Sequence, residues 1–214
     1  MQKVHFISGL GANKRAFSFL DISFCTPVHV EWITPLPNES LQAYALRLRA
    51  TIDEPNPTIV GLSFGGMLAT EMAKADASCK VILVASNKTH KEFPFYLKIG
   101  KYLPLYKYLP NKSMSKSSRF FGLLLGAKGK EQRATQKLIL QESNPVFTKW
   151  AISAIMKWQN KIVPKNIIHI HGTADKLLPL YFVQADYFIK GGEHLMVMDK
   201  PEEISALLKK LIVV

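Results

Sequence analysis

A serine held between two glycines is the feature of this sequence that points most directly to chemistry. Residues 61–65 read Gly-Leu-Ser-Phe-Gly, after an apolar stretch (58–60) typical of a buried strand and before a stretch (66–75) typical of a helix. On so sharp a turn the backbone is strained and the hydroxyl is exposed. The glycines allow strand and helix to pass closely, and the helix N-terminus offers N–H groups to an oxyanion. Ser63 is therefore a candidate nucleophile; the alternative is a serine that caps an ordinary helix.

An aspartate and a histidine follow two later apolar segments in a similar way. Asp175 ends the run His-Gly-Thr-Ala-Asp, and His194 ends the run Gly-Gly-Glu-His. A serine hydroxyl is a poor nucleophile until an imidazole accepts its proton, and a carboxylate fixes the tautomer of that imidazole and stabilises the imidazolium. The sequence thus predicts a relay from Ser63 through His194 to Asp175. The alternatives are a turn aspartate and a histidine at a helix end.

A glycine-flanked loop after the first apolar segment supplies the remaining part of the predicted site. Residues 8–11 read Ser-Gly-Leu-Gly, and such a loop can present a backbone N–H to Ser63. We expect the N–H groups of Leu10 and Phe64 to form an oxyanion hole. Glu193, beside the candidate histidine, either acts on it electrostatically or faces solvent, and we favour solvent. His171 is a candidate support for the aspartate loop.

Alternating strands and helices must position these residues. The expected strands are 4–7, 28–33, 58–62, 80–85, 166–170 and 186–190, and the expected helices are 14–20, 40–52, 66–75 and 202–212. Unbroken apolar strands separated by helices indicate an α/β fold with a mostly parallel six-stranded sheet and helices on both faces. Ser63, Asp175 and His194 follow the third, fifth and sixth strands, so they should meet at the carboxyl edge of the sheet.

A strand-free segment interrupts this alternation. Residues 88–163 predict several short helices broken by prolines, so we expect an inserted helical cap over the site and a core made of 1–87 and 164–214. Sixteen of the 28 Lys and Arg residues fall between 88 and 165, with only three acids, so this stretch carries essentially all of the net charge of +12. Aromatic and lysine residues are interleaved across 93–110.

The favoured interpretation of this basic segment is an apolar face on the pocket with lysines that reach into water. Recognition of an anionic substrate and a weak contact with an anionic membrane surface are the alternatives. No nucleic-acid motif accompanies the charge, so nucleic acid is not expected as a partner.

Length and composition indicate the number of domains, the state of the cysteines and the location of the protein. A length of 214 residues, with 48% apolar and 21% charged residues, suits one globular domain with a large core. Cys25 and Cys79 have neither a disulfide-rich nor a metal-ligand pattern, which favours two buried thiols in a reducing compartment. With no secretory or membrane-spanning pattern, we expect a cytoplasmic protein. No cluster of His, Cys and Asp residues has metal-ligand spacing.

Four stretches taken together resemble the α/β-hydrolase superfamily, in a compact form that lacks the usual first two strands. They are 8–11, 61–66, 171–175 and 191–194. The resemblance implies a Ser–His–Asp acyl hydrolase that cleaves a small-molecule carboxylic ester or thioester through an acyl-enzyme, with no metal and no organic cofactor. Ser8 departs from the pattern, because many relatives have histidine there. An acyltransferase with the same triad and a non-catalytic binding protein on the same fold are the alternatives.

Overall fold

Six parallel strands form one sheet in the computed structural model, which describes residues 1–95, 97 and 129–213. The strands are β1 Lys3–Ile7, β2 Thr26–His29, β3 Thr58–Leu62, β4 Lys80–Val84, β5 Ile167–Gly172 and β6 Tyr187–Ile189. They lie in the order β2-β1-β3-β4-β5-β6, and every neighbouring pair is parallel. The predicted fold class is therefore confirmed.

Six α-helices connect or follow these strands in the described part of the chain. They are α1 Leu41–Arg49, α2 Phe64–Ala75, α3 Lys130–Glu142, α4 Pro145–Lys157, α5 Met196–Asp199 and α6 Pro201–Ile212, and short 3-10 helices span Lys14–Phe17, His90–Glu92 and Leu180–Phe182. The Ser40 side chain caps α1 by accepting the Ala43 N–H at 3.1 Å. Pro145 occupies the first turn of α4, where its missing N–H costs nothing.

Two predicted elements differ clearly from the structure, and the helix expected at 40–52 ends three residues early, at Arg49. The second strand was expected at 28–33 but ends at His29. The Val30 N–H makes the last backbone hydrogen bond to β1. The backbone of Ile33 bonds instead to the Tyr44 hydroxyl, so the chain has left the sheet by that residue. The helix expected at 14–20 is a four-residue 3-10 turn, which i→i+3 bonds close and in which the Asn13 side chain caps the first turn.

Apolar residues cover both faces of the sheet. One face packs against α5 and α6, and its core includes Phe6, Val60 and Leu208. The other face packs against α1, α2 and α4, and its core includes Ile59 and Leu68. Side chains of a strand alternate between faces, so the four central strands, β1, β3, β4 and β5, each contribute to both cores. This burial on both sides explains why the strands are nearly continuous apolar runs.

The segment expected to form a cap is described in part. Its described residues, 88–95, 97 and 129–163, contain α3, α4 and one 3-10 helix and no strand. Most of the aromatic and lysine run at 93–110, with the predicted breaks at Pro104 and Pro110, falls outside the described residues. Across the described chain, no helix is both long enough and apolar enough to cross a membrane.

A buried hydrogen bond fastens α4 to α2. The Trp158 indole N–H donates to Glu71 Oε1 at 2.6 Å, and Lys74 Nζ donates to the other carboxylate oxygen at 2.7 Å. Trp158→Phe leaves that buried acceptor unsatisfied, so we expect the free energy of unfolding to fall by about 1–3 kcal/mol. The control is Trp150→Phe, which removes the hydrogen bond from the Trp150 indole to the half-buried Glu39 carbonyl. Because water can reach that carbonyl, the free energy of unfolding should fall by less than in Trp158→Phe. Urea unfolding measures both; equal losses would contradict the prediction.

Candidate active site

Ser63 stands at the junction of β3 and α2 with strained backbone angles. Its φ is 51° and its ψ is −115°, a region that residues with a Cβ rarely occupy. Two contacts hold it there: the Ser63 N–H donates to the Val84 carbonyl at 2.9 Å, and the Ser86 hydroxyl donates to the Ser63 carbonyl at 2.7 Å. The strained turn predicted from the sequence is therefore present.

The glycines around Ser63 are required by close backbone approaches. A Cβ at Gly65 would collide with the carbonyl oxygens of Ile7 and Ser8 at the end of β1. A Cβ at Gly61 would lie 2.7 Å from the backbone of the first turn of α2. Both sites face rigid backbone, so a side chain there can be accommodated only if the strand or the helix moves.

Gly65→Ala is therefore expected to lower the free energy of unfolding by at least about 2 kcal/mol, because neither strand nor helix can yield without losing packing. Gly9→Ala is the matched control, since its Cβ would make an ordinary contact, 3.5 Å from Ser63 Cβ, at a φ that alanine tolerates. Its loss should stay below about 1 kcal/mol. Chemical unfolding of both variants measures the difference, and similar losses would refute the steric argument.

The structure brings the three predicted relay residues together at the carboxyl edge of the sheet. Ser63 Oγ lies 2.8 Å from His194 Nε2, and His194 Nδ1 lies 2.7 Å from Asp175 Oδ2. The other carboxylate oxygen, Oδ1, accepts the N–H groups of Leu177 and Leu178 at 2.9 and 2.8 Å. His194 is 1% exposed and Asp175 4%. The carboxylate is thus fixed by the backbone, and the imidazole is fixed by the carboxylate.

The electrostatics suit a proton relay. Burial alone would raise the pKa of Asp175, but the charge and hydrogen bond of His194 and the Leu178 N–H outweigh it, and the pKa falls below its ordinary value. Asp175 is therefore a carboxylate at neutral pH and requires a proton on His194 Nδ1. In the neutral imidazole, Nε2 is then the acceptor and faces the Ser63 hydroxyl.

A second buried histidine supports the aspartate loop. His171 Nε2 donates to the Leu178 carbonyl at 2.8 Å and lies 3.7 Å from Asp175 Oδ2. Burial lowers the pKa of His171, which keeps it neutral near physiological pH. This contact agrees with the support role considered for His171 on sequence grounds.

A third buried histidine makes the fold sensitive to acid. His169 is fully buried, and burial, followed by the charges of His171 and Lys88, holds its pKa well below the ordinary value of 6.5. Below pH 6.5, His169 binds a proton in the unfolded chain but not in the folded chain. The free energy of unfolding therefore falls as the pH falls.

We expect His169→Gln to reduce this pH dependence by up to about 1.4 kcal/mol per pH unit below pH 6.5. Urea unfolding at a series of pH values measures the slope. At pH 8 the histidine is neutral in both folded and unfolded states, so data there isolate the packing cost of the substitution. An unchanged slope in the variant would contradict this account.

The loop expected to carry one oxyanion donor lies against Ser63. Its Ala12 carbonyl accepts two hydrogen bonds, from the Ser8 hydroxyl at 2.9 Å and the Trp32 indole at 2.8 Å. Ser8, which stands where many relatives have histidine, thus anchors the loop from within. The Phe64 N–H is the first of α2, and such groups have no partner within their own helix. The donor roles of Leu10 and Phe64 stay predictions.

The family of the chain follows from comparison with known proteins. Residues 6–207 match the family model described as the alpha/beta hydrolase family. The chain belongs to the alpha/beta hydrolase family. The match spans all six strands except the beginning of β1, and it includes Ser63, Asp175 and His194. No curated protein sequence gives a significant match.

Solved structures share the fold of this alpha/beta hydrolase at low sequence identity. A carboxylesterase structure from the thaumarchaeon Nitrososphaera gargenis has a TM-score of 0.77 at 14% identity, covering 99% of this chain and 90% of that one. An esterase from Exiguobacterium antarcticum has a TM-score of 0.73 at 16% identity, covering 100% of this chain and 92% of that one. A bromoperoxidase from Bacillus anthracis has a TM-score of 0.69 at 14% identity, covering 100% of this chain and 92% of that one. At such identities the similarity shows the fold alone.

One expectation about the site of this alpha/beta hydrolase is wrong. Glu193 does not face solvent: it is 4% exposed, and its Oε2 lies 3.7 Å from Lys176 Nζ. The backbone turns sharply here, with the Met196 N–H donating to the Glu193 carbonyl at 3.0 Å, and this turn directs the side chain inward.

Two further polar residues near the site were not singled out from the sequence. Ser86 bonds to the Ser63 carbonyl, as described above; its place directly after the fourth predicted strand was the available signal. Glu92 accepts the backbone N–H groups of Lys88 and Thr89 with one oxygen and that of Gln184 with the other. A Thr-x-x-Glu capping-box pattern does precede this turn and was the available signal.

The described residues contain no group of three or more His, Cys, Asp or Glu side chains arranged to hold a metal ion. Cys25 and Cys79 are both buried free thiols, as the sequence indicated. The Ser63 hydroxyl, the His194 imidazole and the Asp175 carboxylate are the reactive groups that the structure brings together at this site.

Proposed function

We propose that this chain is a serine hydrolase that cleaves a carboxylic ester or thioester. One observation carries the proposal: an unbroken hydrogen-bond chain from Ser63 Oγ through His194 to Asp175, with steps of 2.8 and 2.7 Å, on a strained turn. Hydrogen bonds of this length between nucleophile, base and carboxylate are the geometric requirement for nucleophilic acyl transfer.

The steps follow from the atoms present. Ser63 Oγ bonds to the acyl carbon as His194 Nε2 takes the hydroxyl proton, and the carbonyl oxygen becomes an oxyanion that accepts N–H groups of Leu10 and Phe64. The carbon–leaving-group bond then breaks, and His194 returns its proton to the departing alcohol or thiol. Water attacks the acyl-enzyme by the same route, which releases the acid and restores Ser63. Asp175 stays ionised and orients the imidazole throughout.

The segment 88–163 acts, in this proposal, as an inserted cap beside the nucleophile. Its position in the chain between β4 and β5 supports this role, as do the contacts of α4 with the residue after Ser63. The ring centroids of Phe147 and Trp150 lie 6.3 and 6.2 Å from that of Phe64. These rings make the contact between α4 and the start of α2 apolar, and we propose an apolar acyl or aryl group of moderate size as the acyl part of the substrate. We further propose a cytoplasmic location, in keeping with two unpaired buried thiols.

The lysine-rich character of that segment bears on substrate charge. An excess of positive charge beside a site raises the local concentration of anionic ligands. We therefore include anionic acyl thioesters among the candidate substrates, with contact to an anionic membrane surface as the alternative use of the same charge.

A panel of p-nitrophenyl esters and acyl thioesters of graded chain length tests this proposal. Wild type should turn over several of them, and Ser63→Ala should not, whereas Ser18→Ala, an exposed serine outside the site, should match wild type. Product analysis with added alcohols and amines separates hydrolysis from acyl transfer. Full turnover by Ser63→Ala would overturn the proposal, and tight binding without turnover would favour a binding protein.

A further inference from the structure

The end of α3 is fastened to the residues that follow the oxyanion loop, defined as residues 8–12. The Glu142 carboxylate accepts the Asn13 side-chain N–H at 2.6 Å and the Arg15 Nε–H at 3.1 and 3.2 Å, and Arg15 Nη2 lies 3.1 Å from it. These hydrogen bonds, first from Arg15 and then from Asn13, lower the pKa of Glu142, so it is ionised at neutral pH. Asn13 and Arg15 belong to the core and Glu142 to the segment 88–163, so the contact joins the cap segment to the core.

The turn after α3 also packs directly on the loop. Gly11 has a φ of +67°, and a Cβ placed on it would lie 2.6 Å from Ser143 Oγ. Ser143 is itself held by a 3.0 Å hydrogen bond to Thr148 Oγ1 at the start of α4. The α3–α4 turn therefore sits against the oxyanion loop with no room for a side chain between them.

A core residue, Trp32, also holds the loop. The Ala12 carbonyl is fixed by Ser8 and Trp32, as described above, and the Trp32 ring packs on Phe147 of α4 at a centroid distance of 4.9 Å. The loop is thus held by a core residue as well as by the turn after α3. Leu10, the expected oxyanion donor, directly precedes Gly11 and lies within the stretch that the Ser8–Ala12 bond closes.

We propose that Glu142 is a positioning residue that, with Ser143, holds the oxyanion loop in place from the cap side. The inference rests on the proposed function, because it assigns the loop the task of donating the Leu10 N–H. Donors of this kind act only when they lie within about 3 Å of the developing oxyanion, and a misplacement of about 1 Å can cost 100-fold in rate. A contact that sets loop position thus acts on catalysis more than on folding.

The exposure of the pair sharpens that distinction. Arg15 and Glu142 side chains are 48% and 41% exposed, and ion pairs so open to water contribute little to stability. Loss of Glu142 should therefore leave the unfolding transition nearly unchanged while lowering the rate. A merely structural ion pair would have no effect on kcat.

Glu142→Ala is the primary test, with kcat and KM measured on a p-nitrophenyl ester that wild type hydrolyses. We expect kcat to fall about 2- to 5-fold, the most that an exposed ion pair worth up to about 1 kcal/mol can shift the loop, with KM unchanged. Binding of a trifluoromethyl ketone, which mimics the oxyanion, should weaken in parallel. Asp76→Asn is the control: it removes the charge of Asp76 from a more buried pair with Arg49, 2.9 Å away on other elements, and kcat should not change.

A paired substitution tests the Ser143 contact separately. Gly11→Ala should lower kcat through both the left-handed φ and the clash with Ser143, and Gly11→Ala with Ser143→Gly should recover part of that loss. No recovery, or wild-type kcat in Glu142→Ala, would overturn the inference. If wild type neither turns over esters nor reacts covalently at Ser63, the proposed function falls together with the inference. If wild type does both and either of those two outcomes is found, the inference falls and the proposed function stands.

Discussion

His194→Ala is expected to lower kcat/KM for a p-nitrophenyl ester by about 10⁴-fold or more. Without the imidazole, the Ser63 hydroxyl loses the acceptor that lies 2.8 Å away, and the leaving group loses its proton donor. The residual rate would come from substrate binding and the oxyanion donors alone. Steady-state kinetics at saturating and sub-saturating ester measure the effect.

A matched histidine variant separates this loss from general damage to the protein. His29 is a half-buried histidine of β2 whose ring stacks on Phe17, away from the relay. His29→Ala should keep kcat/KM within about threefold of wild type, as expected when no group in the reaction is touched. Added imidazole should restore part of the activity of His194→Ala. Retention of more than a tenth of wild-type activity by His194→Ala would contradict its assignment as the base.

Asp175→Asn is expected to lower kcat by about 10³- to 10⁴-fold with little change in fold. The asparagine carbonyl can still accept the N–H groups of Leu177 and Leu178, so the loop should keep its geometry. Its amide N–H₂ would face His194 Nδ1 and stabilise the tautomer with the proton on Nε2. That tautomer cannot accept the proton of Ser63.

The control for this variant is an aspartate at the start of a strand, Asp186 directly before β6. Asp186 Oδ2 accepts the backbone N–H of His169 at 2.7 Å and takes no part in the relay. Asp186→Asn should keep kcat within about threefold of wild type, because its bond is to backbone alone. If Asp175→Asn were as active as Asp186→Asn, the Asp175 carboxylate would have no role in orienting the His194 imidazole.

The sheet and the relay could be predicted because both depend on chain order. Each buried strand is an apolar run, and parallel pairing places all carboxyl ends at one edge. Residues that directly follow such strands must meet there, whatever their separation in sequence. Ser63, Asp175 and His194 each satisfy this condition, and the structure places them within hydrogen-bond distance of one another.

The rest depends on side-chain contacts that no local pattern encodes. The Trp32 bond to the Ala12 carbonyl and the Glu142 bonds to Arg15 join segments whose relative placement follows only from the packed fold. Glu193 was misjudged for the same reason, since a charged residue in a glycine-rich turn is normally solvated. The end of β2 was misplaced because an edge strand has a neighbour on one side only, and its apolar pattern continues beyond its pairing.

Labelling with a fluorophosphonate probe tests most directly the central claim that Ser63 is an activated nucleophile. Wild type, Ser63→Ala and Ser18→Ala would be treated alike, and peptide mass spectrometry would locate the adduct. We expect one adduct, on Ser63, in wild type and in Ser18→Ala, and none in Ser63→Ala. A folded wild-type protein that remains unlabelled, or an adduct that persists in Ser63→Ala, would contradict the account.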